Sequence, residues 1–182
     1  VGFTGGSPRH SSTALRSRFH HTAPPEHTIL LTFGGLGLAQ IPYANLSRFP
    51  HWQFITFDRT APDLPNLLKV SDRRLRPVDF MPLCGRVVSK PGYSTFSEAC
   101  RHDLPIITVT RDDFAEGPVL VNALQDYSYH QILTPQTFAE GNWDFLQADP
   151  QPPRTRHTLS KTGNQDIAQA IVNQLQTVPA SQ

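Results

Sequence analysis

The middle of the chain is a series of short apolar runs that do not alternate with polar residues. They are Thr28 to Phe33 (TILLTF), Trp52 to Phe57 (WQFITF), Asn66 to Val70 (NLLKV), Arg86 to Ser89 (RVVS) and Leu104 to Thr110 (LPIITVT), with a last pair at Ile132 and Leu133. Runs of this length and β-rich content fit strands buried on both faces, since a half-exposed strand would alternate. Helix-like stretches separate them, at Pro42 to Arg48, Thr95 to Arg101 and Gly117 to Gln125. Pro42 falls where a first helical turn has no use for its N–H. A repeated strand–helix–strand pattern predicts a parallel sheet with right-handed crossovers, an α/β three-layer sandwich over residues 28–147.

The flanks read differently. Residues 1–27 are rich in Gly, Ser, Pro, Arg and His and show neither helical nor strand period, so they read as a linker or disordered lead. A chain that opens VGFTGGSPRHSS, without Met, reads as an excised piece or a processed product. Residues 148–163 form another loop. Residues 164–178 carry Ile167, Ile171, Leu175 and Val178 on one helical stripe, which predicts a helix packing back on the domain. Asn164 is a candidate N-cap for it.

With 182 residues, the chain is one domain plus trimmings. Its net charge of +1 lacks the basic excess of a protein held on nucleic acid by counterion release. No run approaches the length of a membrane span, and no signal-peptide pattern opens the chain. Cys84 and Cys100 lie in no metal-binding spacing and read as buried thiols of a reducing compartment, which suggests the cytoplasm. The eight histidines form no metal-ligand pattern, and there is no GxSxG elbow. Arg73, Arg74 and Arg76 are the one local basic cluster, and fit a solvated loop.

In open parallel sheets ligands bind beyond the carboxyl ends of the strands. The informative residues are therefore those that follow each run. Gly34, Gly35 and Gly37 leave the first strand, where glycines let the backbone approach an anion. One reading is a dinucleotide fingerprint, with Asp58 at the end of the second run holding a ribose, but Gln40 stands where a third Gly would. The other is a turn without a ligand. The segment Lys90-Pro91-Gly92-Tyr93-Ser94-Thr95-Phe96-Ser97-Glu98 puts a turn and free N–H groups at a helix start. Its spacing alone favours a capping box, Thr95 as N-cap with Glu98 reaching back. The competing reading holds phosphate on the N–H groups of Tyr93 to Thr95, while Glu98 accepts from a ribose diol. Arg111-Asp112-Asp113-Phe114-Ala115-Glu116 could suggest a divalent cation, but Asp112 and Asp113 read better as part of a polar loop before a helix start, where Glu116 could face a ligand.

Taken in order, ILLTFGGLG, VVSKPGYSTFSEA, LPIITVTRDDFAE and VLVNAL resemble the C-terminal donor-binding domain of GT-B glycosyltransferases. That domain is a Rossmann-like parallel sheet. The likeness covers about residues 28–145, and extends to the lipid II N-acetylglucosaminyltransferase and to the glycosyltransferase-like domain of arabinokinase-type proteins. Ser89 to Ala99 is its most specific part. Pro91 and Tyr93 stand where sugar transferases often have smaller or polar residues, a feature similar to the arabinokinase-type domains.

The resemblance implies the donor-binding half of a hexosyl transferase that uses a nucleotide sugar, a UDP-sugar above all. Gly34, Gly35 and Gly37 would line the diphosphate side. Gly92, Tyr93, Ser94 and Thr95 would offer N–H groups to phosphate, with Lys90 and Arg111 as further donors. Glu98 would hold the ribose, Glu116 would approach the diphosphate or sugar, and the base would lie near Val78 to Phe80. Such enzymes stabilise the leaving diphosphate with helix N-termini rather than a metal, so no cofactor is expected. The catalytic base and the acceptor site belong to an N-terminal domain or partner chain, so this chain alone is expected to be inactive. Two alternatives stand beside this: a non-catalytic nucleotide-binding or interaction module, and an NAD-dependent oxidoreductase half resting on Gly35, Gly37 and Asp58.

Overall fold

The computed structural model describes residues 2–33, 41–111 and 114–177. The strands among them form a six-stranded sheet in the order β3-β2-β1-β4-β5-β6, every pair parallel. They are β1 (Thr28–Thr32), β2 (Gln53–Thr56), β3 (Leu67–Lys69), β4 (Arg86–Ser89), β5 (Ile106–Val109) and β6 (His130–Leu133). The helices are α1 (Ser12–Phe19), α2 (Pro77–Phe80), α3 (Tyr93–Arg101), α4 (Gly117–Tyr127), α5 (Pro135–Glu140) and α6 (Gly163–Thr177). A 3₁₀ turn at Tyr43–Arg48 occupies the place of the expected first helix.

The sheet is covered on both faces, which explains the unalternated runs. On β1, Leu30 faces one apolar cluster, while Ile29 and Leu31 face the other. The first cluster contains Leu15 of α1, Val78 and Phe80 of α2, Phe96, Ala99 and Cys100 of α3, and Leu124 of α4. The second contains Tyr43, Leu46, Phe49, Phe138, Trp143 and Leu146. This is the three-layer α/β sandwich of the sequence pattern. Cys84 and Cys100 are free, buried thiols; burial pushes Cys84 well above the usual thiol range and Cys100 up to about 11.

Two flanking segments depart from expectation. Residues 12–19 form a helix rather than a disordered lead. Ser11 caps α1 by accepting from the Ala14 N–H at 3.2 Å. Its apolar side is only Leu15 and Phe19, four apart, too short a stripe to register as a period. Even so, Leu15 is buried in the core, and Phe19 packs against Phe80 with ring centroids 5.5 Å apart. His21 is buried as well, its ring hydrogen-bonded to the Thr28 hydroxyl.

At the other end, α6 forms but its stripe does not dock. Ile171 is 56% exposed and Leu175 71% exposed. The helix is tied to the domain at its first turn, through the Gly163 N–H to Phe3 O and the Asn164 amide to Gly5. Asn164 lies inside the helix and holds the N-terminal segment instead of capping. No helix among the described residues is long and apolar enough to cross a membrane.

If the leading segment is part of the core, Leu15→Ala costs about 2–5 kcal/mol, the usual price of a buried leucine. Urea unfolding measures this. An unchanged midpoint would return residues 12–19 to the status of a lead.

Candidate functional site

Strand order fixes where a ligand can sit. The chain runs outward from β1 to β3, then returns to β4 and runs outward the other way. The connections after β1 and after β4 leave on opposite faces, the arrangement that in open α/β sheets places a ligand crevice at the carboxyl ends of the two strands. Gly34, Gly35 and Gly37, at the β1 end, lie outside the described residues. The β4 end leads through Lys90-Pro91-Gly92 into α3.

The helix begins at Tyr93, two residues before the expected start. Gly92 is its N-cap, in extended conformation with φ −163° and ψ 127°, and offers no side-chain cap. Thr95 therefore lies inside the first turn and caps nothing. A helix's first N–H groups have no intrahelical acceptor. Among the described residues none accepts from the N–H groups of Tyr93, Ser94 or Thr95. The side chains of Tyr93 and Ser94 are exposed, and Lys90 is half-buried.

Glu98, one turn further on, does not reach back either. Its Oε1 accepts from the Gly6 N–H at 2.8 Å. No described donor bonds Oε2, and the Glu98 side chain is half-buried. Burial raises the Glu98 carboxyl above its ordinary value, against the Gly6 bond and the Arg76 and Arg101 charges, which lower it; Asp79 adds to the rise. One carboxylate oxygen is thus engaged by the chain itself.

Residues 2–7 lie as a strap along α3. Ser97 Oγ accepts from the Thr4 N–H at 3.0 Å and donates to Thr4 O. Arg101 donates to Gly5 O and Gly6 O at 2.9 and 3.0 Å. The strap continues to Arg9, whose N–H donates to Asp79 Oδ1 at 2.8 Å, while the Arg76 N–H donates to Oδ2, also at 2.8 Å. Burial pushes the Asp79 carboxyl up, but the Arg9 and Arg76 bonds outweigh it and hold the carboxyl below its usual range. Val78, Asp79 and Phe80, where the base was expected, are buried in α2.

Arg111 and Glu116 belong to the next strand end, after β5. The Arg111 guanidinium lies over the Phe114 ring, 5.5 Å from its centroid. Glu116 is the N-cap of α4, exposed and making no cap hydrogen bond. Asp112 and Asp113 lie outside the described residues. The structure therefore brings Gly92, Tyr93, Ser94, Thr95 and Glu98 onto one short helix, with Arg111 and Glu116 one strand over.

Asp58 is fully employed in its own turn. It accepts from the Thr60 N–H at 2.8 Å, the Thr60 hydroxyl at 2.6 Å and the Tyr43 hydroxyl at 2.9 Å. Burial raises its carboxyl, but these donors together lower it below the ordinary value. That environment pushes the Tyr43 phenol up to about 12, burial being the main cause. A ribose would have to compete with those donors.

Sequence reasoning passed over two strand-end hydroxyls. Ser89 of β4 and Thr108 of β5 are paired in register, and Thr32 of β1 pairs with Ser89 on the other side. Ser89 and Thr108 are fully buried, yet among the described residues neither hydroxyl has a hydrogen-bond partner. Such groups are rare and costly, about 1–3 kcal/mol each. They sit beneath the turn that opens α3. The available signal was a hydroxyl residue closing or nearly closing three apolar runs at matching depth.

The sequence matches no protein-family model and no curated protein. Its fold does match solved structures. The UDP-GlcNAc 2-epimerase of Neisseria meningitidis bound to UDP-GlcNAc aligns with a TM-score of 0.55 at 14% identity, over 88% of this chain and 48% of that one. Another UDP-N-acetylglucosamine 2-epimerase aligns at 0.50 and 12%, over 97% and 49%. The spinosyn rhamnosyltransferase SpnG aligns at 0.50 and 14%, over 80% and 40%. The chain thus has the Rossmann-like α/β fold found in GT-B glycosyltransferases and UDP-GlcNAc 2-epimerases. It spans about half the length, or less, of each of these proteins.

Asp79 anchors the end of the strap only while ionised. A carboxyl held below its usual range contributes stability above the ordinary carboxylate pKa and loses it as pH falls through the folded value. Asp79→Asn should cost about 1–3 kcal/mol at pH 7, with the gap to wild type closing below about pH 4. Denaturant midpoints across this range test it; a gap that persists unchanged at low pH contradicts an ionic anchor.

Proposed function

We propose that this chain is the nucleotide-sugar-binding half of a glycosyltransferase, and that its donor is a UDP-sugar. The observation that carries the reading is the opening of α3 at the β1/β4 crevice. Three N–H groups that no described residue claims follow a strand end with two buried hydroxyls that have no partner among the described residues, and Glu98 one turn along keeps an oxygen that no described donor bonds. N–H groups at a helix start suit a diphosphate. Glu98 Oε2, with two lone pairs, suits the adjacent hydroxyls of a ribose.

In transfer, negative charge builds on the departing diphosphate as the bond from the anomeric carbon breaks. The amides of Tyr93, Ser94 and Thr95 are fixed by the helix and need no reorganisation to meet that charge. Lys90 and Arg111 would add cationic donors, and Gly34, Gly35 and Gly37 would let the backbone approach from the β1 side. Glu116 would face the sugar end. The reading calls for no resident metal and places the catalytic base and acceptor outside this chain, on an N-terminal domain or a partner chain.

The fold shared with UDP-GlcNAc 2-epimerases favours a second reading, in which the same half-site holds UDP-GlcNAc for epimerisation. Both readings need UDP recognition; the product formed by the full-length protein separates them. The NAD alternative is disfavoured by the occupied carboxylate of Asp58.

Calorimetric titration with UDP, UDP-GlcNAc and NAD tests the proposal. UDP compounds should bind and NAD should not. Glu98→Gln keeps an acceptor for the Gly6 amide but removes the charge. It should weaken UDP by about 1.5–3 kcal/mol while leaving the melting temperature near wild type. Equal UDP affinity in the variant, or binding of NAD alone, would overturn the assignment.

A further inference from the structure

Tyr93 and Glu98 of α3 both hydrogen-bond the strap. Thr4 meets Tyr93 through its hydroxyl at 3.1 Å and Ser97 through its backbone. Gly6 meets Glu98, and Arg101 grips Gly5, Gly6 and the Ser7 hydroxyl. Phe3 seals the strap at an apolar cavity of about 90 Å³ between α3 and α4, lined also by Phe96, Cys100, Leu120 and Tyr127. Two residues assigned to the ligand therefore touch a segment some ninety positions away in sequence.

The two glycines explain how the strap lies so close. Gly5 has φ +133°, a conformation side chains rarely adopt, and a Cβ there would stand 2.8 Å from Glu98 Cγ. At Gly6 a Cβ would stand 2.7 Å from Glu98 Oε1 and 3.1 Å from an Arg76 guanidinium nitrogen. A side chain at either position would crowd Glu98, and at Gly5 it would also strain the backbone. The sequence Thr4-Gly5-Gly6-Ser7 is thus fitted to Glu98 and not merely to a turn.

The geometry points to the Gly2–Ser7 strap as the positioning element of the nucleotide site: by bonding Glu98 Oε1 it fixes the carboxylate so that Oε2 faces the ligand, and strap docking and nucleotide binding become linked. This rests on the nucleotide reading above. It adds that a nucleotide stabilises the docked strap, and that the docked strap strengthens nucleotide binding by the same factor, as linkage requires. Gly5 and Gly6 are positioning residues; they act through Glu98.

The groups that face Glu98 are the Gly6 amide from the strap, Arg76 and Asp79 at α2, and Arg101 on α3 itself. The Gly6 amide and the two arginines favour the carboxylate; Asp79 and burial oppose it. A diol donates to the ionised form, so UDP affinity should fall as pH drops through the Glu98 value. Losing the Gly6 contact should move that fall to higher pH.

Two measurements on the whole chain test the linkage. Amide hydrogen exchange of residues 2–7 is followed with and without saturating UDP, and UDP affinity is followed against pH for wild type, Gly6→Ala and Arg101→Lys. UDP should slow exchange at Gly6 at least tenfold. Gly6→Ala should weaken UDP at least tenfold and raise the pH midpoint of binding, and Arg101→Lys, which keeps a cation, should fall between it and wild type. If Gly6→Ala fails to fold, the wild-type exchange result decides alone. UDP binding that leaves Gly6 exchange unchanged, or a Gly6→Ala profile that overlays wild type, overturns the strap's role while sparing the nucleotide site. A wild-type chain that binds no UDP overturns both.

Discussion

Everything in this molecule is organised around β1, which pairs in parallel with β2 on one side and β4 on the other. Parallel neighbours cannot be joined by a hairpin; each connection must leave the sheet and cross a face. With right-handed crossovers, the outward run from β1 and the outward run from β4 must use opposite faces. The Tyr43–Arg48 turn lies in one apolar layer, and α3 and α4 in the other. The crevice between the β1 and β4 ends is a consequence of that topology, and it exists before any functional side chain is placed.

What fills the crevice is decided by local chemistry. Gly92 opens α3 without a side-chain cap, leaving amide hydrogens that no described residue accepts from. Ser89 and Thr108 beneath are buried at a cost that methyl-bearing residues would avoid. The proposed nucleotide reading gives the helix start, the hydroxyls and the half-buried Glu98 a common use.

Much of the sheet was legible because burial on both faces leaves a signature in composition. RVVS spans β4 from its first residue to its last, and the runs at 28–33 and 104–110 contain β1 and β5. Residues 2–19 were illegible for a different reason. The strap is held by Ser97, Glu98, Arg101 and Asp79, all distant in sequence, so its order is tertiary and its composition resembles a linker. The same long-range contacts explain the capping error at Glu98: the spacing Thr95 to Glu98 suits a box, but Gly6 supplies the donor instead. On α6 the stripe was correctly placed and its partner was not, because periodicity reports an apolar face without saying what covers it.

The central claim is that the first turn of α3 binds the diphosphate of a nucleotide. Backbone amide shifts in a ¹⁵N-labelled chain titrated with UDP test it most directly. The account predicts saturable shifts at Tyr93, Ser94 and Thr95, absent when uridine replaces UDP. Saturable UDP binding that moves other amides and leaves these three in place would contradict it.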